Sequence, residues 1–101
     1  MKEVVSKLKV LIEKYKKYDV RIRIEEDDTT VLVWIEDDLF ANITAEGNTF
    51  KAEVSKDVYY QYLNYPKGDF FYFYYDWLAE PLDFKSYWES FRYWHCTCTV
   101  R

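Results

Sequence analysis

The sequence is short of the residues that punctuate a chain or carry chemistry. Its 101 residues include two glycines, two prolines, two cysteines, one histidine and one methionine. With a single histidine, no glycine-rich elbow around any serine and no phosphate-cradling loop, the sequence frames of nucleophilic and nucleotide-dependent enzymes are missing. No enzymatic activity and no cofactor are expected. Long apolar runs are missing too. The longest, Val31–Ile35 and Phe70–Tyr75, fall far short of the roughly 20 residues of a membrane-spanning helix. The opening MKEVVSKLKVLIEKYKK scatters charge among its apolar residues and has no small-residue cleavage site, so it does not read as a signal peptide. An intracellular protein of one domain is the expectation.

Side-chain amides are equally scarce, with one glutamine (Gln61) and three asparagines (Asn42, Asn48, Asn64). Few amides beside abundant Glu, Lys and Tyr lean towards a thermophilic source. What is abundant is charge and aromatic surface, both unevenly placed. Residues 1–18 hold six lysines and two glutamates, a surplus of four positive charges, so the remainder carries −8 of the net −4. An acidic body repels phosphate backbones, which disfavours nucleic-acid binding unless the first helix provides it. Such lysines are more often the solvated face of a helix whose apolar stripe is core.

Hydrophobic periodicity gives the elements. Val4, Val5, Leu8, Leu11, Ile12, Tyr15 and Tyr18 recur at helical spacing and predict an amphipathic helix ending near Asp19. Val20, Ile22 and Ile24 alternate with Arg21 and Arg23, a strand with one solvated face. EEDDTT is a polar turn, VLVWI (31–35) a strand apolar on both faces, and EDD (36–38) the next turn. Leu39, Ala41 and Ile43 mark a third strand, EGN (46–48) a tight turn, and Phe50, Ala52 and Val54 a fourth, so neighbours are antiparallel. Ser55 caps a short helix with Val58, Tyr59, Tyr62 and Leu63 on one face. The run 70–75 reads as a fifth strand. Asp83 reads as the cap of a second main helix, with Phe84, Tyr87, Trp88 and Phe91 at i, i+3, i+4 and i+7, and residues 95–100 as a short edge strand. The fold class expected is α+β: an antiparallel sheet of about five strands, two main helices on one face, and a short helical turn.

His95, Cys96 and Cys98 are the only cluster of metal-ligand types. On a strand the two cysteines share a face that the histidine does not, and no second pair completes a tetrahedral site. Buried thiols are the expected reading, and no metal is expected. A disulfide between the two cysteines is disfavoured by their spacing, whereas one between subunits stays open. Seventeen of the 22 aromatic residues lie between Tyr59 and Trp94. Acidic flanks at Asp69 and Asp76 make the 70–75 run a poor stacking platform for bases. One helix layer covers one side of a sheet, so the other side needs a second copy or a partner. Trp34, Phe40, Phe71, Phe73 and Tyr75 are the candidate residues of a homodimer interface. Glu25, Glu26, Asp27 and Asp28 in one turn, and Glu36, Asp37 and Asp38 in the next, form two negative patches able to steer towards a basic partner.

A small acidic α+β chain with few amides, many tyrosines, EEDD and EDD turns and a helix-covered sheet resembles minor proteins of crenarchaeal viruses. It is most similar to the type I-D anti-CRISPR proteins of Sulfolobus rod-shaped viruses. That resemblance implies a homodimeric inhibitor in the host cytoplasm that binds the large subunit of a type I-D CRISPR effector complex. A DNA-associated regulator using the Lys-rich helix, or a structural virion subunit, are the alternatives.

Overall fold

The computed structural model describes residues 2–14, 21–62 and 82–100. The first helix, α1 (Lys2–Lys14), inserts Val4, Val5 and Leu8 into the core, with Leu11 and Ile12 half-buried beside them. Glu3 in its first turn and Lys14 in its last complement the helix dipole. Four strands follow as a meander: β1 (Ile22–Glu26), β2 (Thr30–Ile35), β3 (Asp38–Glu46) and β4 (Thr49–Ser55). A short helix, α2 (Lys56–Tyr62), leads on towards β5 (Leu82–Glu89) and β6 (Tyr93–Val100). All pairings are antiparallel, in the order β1-β2-β3-β4-β6-β5.

The α+β class expected from the sequence is the class observed. Alternation in β2 sends Val31, Val33 and Ile35 to the inner face, where they meet Ile43, Ala52 and Val54 of β3 and β4 and the apolar stripe of α1. From α2, Val58 and Tyr59 join the same core, and the Tyr59 ring meets Trp94 of β6 edge-on at 5.1 Å between centroids. Two of the three turns of the meander need left-handed backbone. Gly47 supplies φ 61° between β3 and β4 without a side-chain clash. Glu36 takes φ 53° between β2 and β3, held by its backbone N–H to the Arg21 carbonyl (2.8 Å) and by its carboxylate on the Arg21 N–H (2.9 Å).

Two expectations are corrected. Residues 84–91 form most of strand β5 and its turn, not a second main helix, and β6 lies between β4 and β5, so among the described strands β5, not β6, is the edge. A bulge explains the misleading period. Phe84 pairs with Cys98 and Ser86 with Thr97, leaving Lys85 as an extra residue. One extra residue makes i and i+3 equivalent in register, so Phe84 and Tyr87 pair with Cys98 and Cys96, two residues apart on β6. That spacing imitates a helix.

Phe40 is corrected as well. The register shifts between Val33 (opposite Ala41) and Trp34 (opposite Leu39), which makes Phe40 the extra residue of a second bulge. It turns inward and is 1% exposed, the largest fully buried side chain described. It therefore belongs to the core of a single chain and not to a dimer interface. The 70–75 run, with Phe71, Phe73 and Tyr75, lies outside the described residues, as do Tyr15 and Tyr18.

Candidate functional site

The two acidic turns lie at opposite ends of the sheet, because they close opposite ends of β2. Their chemistry differs. In the turn after β2, Asp37 pairs with the Arg21 guanidinium at 2.9 Å and Glu36 lies 4.0 Å from it. Asp38 accepts the Tyr62 hydroxyl at 3.1 Å, with the Gln61 amide at 3.5 Å. Burial, then the hydrogen bond to Asp38, raises the Tyr62 hydroxyl above its ordinary pKa. Lys56 also belongs to this end, bonded to Glu89 and to the Ser90 carbonyl. All three predicted acids here are engaged within the chain, among cations.

The turn before β2 is different. The Asp27 carboxylate accepts the backbone N–H groups of Thr29 (2.9 Å) and Thr30 (2.8 Å), an Asx turn that closes the β1–β2 hairpin. Those donors, Thr29 first, hold its pKa below the ordinary carboxylate value. Glu25 pairs with Arg23 at 2.7 Å. Glu26 and Asp28 are exposed, and their carboxylates make no hydrogen bond or ion pair with the described residues. A backbone bond from Ala45 N–H to the Thr29 carbonyl (2.8 Å) ties this turn to the next hairpin. Glu46 therefore joins the same end, paired with Lys51 at 3.2 Å. Sequence reading assigned no role to Glu46. The signal available was topological, since alternate turns of a meander share an end.

The outer face of the sheet carries Trp34. Its ring is half-buried, Arg23 stacks over it at 4.9 Å, and its indole Nε1 is buried with no hydrogen-bond partner among the described residues. Leu39 lies opposite Trp34 in register and is exposed. Next to this apolar corner the face becomes polar. Asn42, Glu53 and His95 are successive partners across β3, β4 and β6. A cavity of about 370 Å³ opens over Asn42, Thr44, Glu46, Lys51, Glu53 and His95. A smaller one of about 120 Å³ is lined by Leu39, Asn42, Glu53, Ser55 and Tyr93.

His95 stands at the centre of a second arrangement. Its Nδ1 is 3.6 Å from Glu53 Oε2, and its Nε2 is 3.2 Å from the Ser90 hydroxyl. Ser90 begins the β5–β6 turn, where its Oγ also accepts the Tyr93 N–H at 3.2 Å. Cys96 and Cys98 pair in register with Ala52 and Phe50, whereas His95 pairs with Glu53, so the three metal-ligand types do not share a cross-strand row. Among the described residues no group of three His, Cys, Asp or Glu is placed to hold a metal ion, and no helix is long and apolar enough to cross a membrane. No protein-family model matches the chain, and neither a curated protein nor a solved structure matches it.

Proposed function

We propose that this protein is a binding inhibitor that engages a basic partner through the anionic end of its sheet. One observation carries the reading. The Ala45–Thr29 bond gathers Glu25, Glu26, Asp27, Asp28 and Glu46 at one end, where Glu26 and Asp28 are exposed and uncommitted. Carboxylates fixed on hairpin tips lose little conformational freedom on binding and steer association with a cationic surface. The resemblance to type I-D anti-CRISPR proteins supplies the class of partner, the nucleic-acid-handling large subunit of an effector complex. Self-association through the outer face around Trp34 is part of the same proposal.

The end beyond Glu36–Asp38 is a weaker docking surface, because Arg21 and Tyr62 already engage its acids. The test is capture of a purified type I-D large subunit by two double variants. Glu26→Lys with Asp28→Lys weakens capture at least tenfold, whereas Glu36→Lys with Asp37→Lys changes it less. Equal loss from both pairs, or none from either, overturns the anionic-end assignment. Retention on duplex DNA at low salt, lost with Lys9→Glu, would instead establish the regulator reading through α1.

A further inference from the structure

The geometry points to Ser90, His95 and Glu53 as an acyl-transfer centre, with Ser90 as nucleophile towards small activated esters. Glu53 Oε2 at 3.6 Å favours the imidazole tautomer that carries its proton on Nδ1. Nε2 then presents a lone pair to the Ser90 hydroxyl 3.2 Å away. The competing acceptor for that hydroxyl proton is the Tyr93 carbonyl at 3.1 Å, which accepts the Ser90 backbone N–H at 2.9 Å as well; rotation of the hydroxyl about its Cβ–Oγ bond turns the proton from that oxygen to Nε2. Serine as nucleophile, imidazole as base and carboxylate as orienting group are the three parts that acyl transfer needs, and they recur on unrelated folds.

The surroundings fit the chemistry. The backbone N–H groups of Phe91 and Arg92, directly after Ser90, make no hydrogen bond with the described residues and are available to an oxyanion. Phe91, next to Ser90 in sequence, is 92% exposed and offers an apolar contact for an aryl leaving group. The 120 Å³ cavity is lined by Glu53 of the centre and by Tyr93, whose N–H bonds the Ser90 hydroxyl. It has room for an acyl chain of a few carbons, given about 30 Å³ for one water in the liquid.

In the reaction, Ser90 Oγ adds to the ester carbonyl carbon as its proton passes to His95 Nε2. The carbon–oxygen bond to the leaving alcohol breaks, and the departing oxygen takes that proton. An ester on Ser90 remains. Water then adds to it, giving a proton to Nε2, and the carboxylic acid leaves as Ser90 Oγ is reprotonated. Glu53 is a positioning residue, acting through the imidazole.

The test exposes the full chain to a fluorophosphonate probe and to p-nitrophenyl acetate, with the labelled peptide located by mass spectrometry. The expected result is one label on Ser90. His95→Gln slows labelling at least about a hundredfold. Glu53→Gln slows it less, and Glu53→Asp recovers part of the rate. Ser90→Asn keeps a side-chain acceptor for the Tyr93 N–H, so the turn persists, but labelling is abolished. A label on lysine or tyrosine alone, or a Ser90 label insensitive to His95→Gln, overturns the proposal. Ester turnover that survives in Ser90→Asn and disappears in His95→Gln also overturns it, by making the imidazole the nucleophile. None of these outcomes depends on capture of a basic partner.

Discussion

Replacing Phe40 by alanine separates two accounts of the outer sheet face. The bulge at residues 39–41 drives the ring into the core, where it is 1% exposed within a single chain. Removing a buried Phe side chain costs about 3–5 kcal/mol, combining lost transfer free energy with the cavity left behind. A domain near 100 residues loses roughly 4–8 °C of midpoint per kcal/mol, so Phe40→Ala lowers the thermal midpoint by about 12–40 °C. Against a total stability of about 5–15 kcal/mol, that change is large enough to leave part of the population unfolded. Phe40→Leu, which keeps most of the volume, costs about 1 kcal/mol. The assay is a thermal or urea melt followed by circular dichroism, with light scattering on the same samples. If Phe40 instead met a second subunit, alanine would change the mass in solution and leave the isolated fold nearly as stable. A midpoint shift under about 4 °C accompanied by loss of a dimer would refute the inward placement.

Three further perturbations follow from the turns and the tyrosines. Asp27 has a folded-state pKa below its unfolded one, so its contribution is present above about pH 3.9 and is lost as pH falls through the folded value. Asp27→Asn keeps an acceptor in the turn, so its urea midpoint falls less than that of the parent between pH 5 and pH 3; identical slopes would contradict the linkage. Tyr62 has the opposite sign. Its raised pKa gives a contribution present below about pH 10 and lost as pH rises through the folded value, so Tyr62→Phe loses less stability than the parent between pH 9.5 and 11. Gly47→Ala puts a methyl group where nothing lies within 4 Å, so only the left-handed backbone is penalised, by about 1–2 kcal/mol. Gly47→Asn costs less, and a midpoint unchanged by alanine would show that the turn relaxes.

How much could be read in advance depended on whether the information was local. The meander from Ile22 to Ser55 was legible, because alternation and turns of two or three residues determine neighbours and direction together. The acidic turns were legible as charge, but not their different fates. Arg21 reaches Asp37 and Tyr62 reaches Asp38 only after strands and helix pack. Both bulges defeated the period. At Phe40 the extra residue reversed the face expected from counting by twos, and at Lys85 it converted a strand spacing into a helical one. Trp34 was read correctly as outward-facing, since β2 has no bulge of its own and its alternation is unbroken.

The Ser90–His95–Glu53 arrangement had no local signature at all. Serine and histidine are brought together by a hairpin whose strand character the sequence disguised, and glutamate arrives through the non-sequential pairing of β4 with β6. The same pairing keeps this centre apart from the anionic end. Glu53 and His95 lie in the middle of their strands and Ser90 lies in the β5–β6 turn, whereas Glu26, Asp28 and Glu46 close the opposite end of the sheet. Reversal of Glu26 and Asp28 therefore leaves the hydroxyl and imidazole 3.2 Å apart, and loss of the hydroxyl leaves the hairpin tips intact. Variants at one end report on that end alone. A partner whose capture responded equally to Glu26→Lys and Ser90→Asn would have to span the whole outer face, across Trp34 and the polar row between.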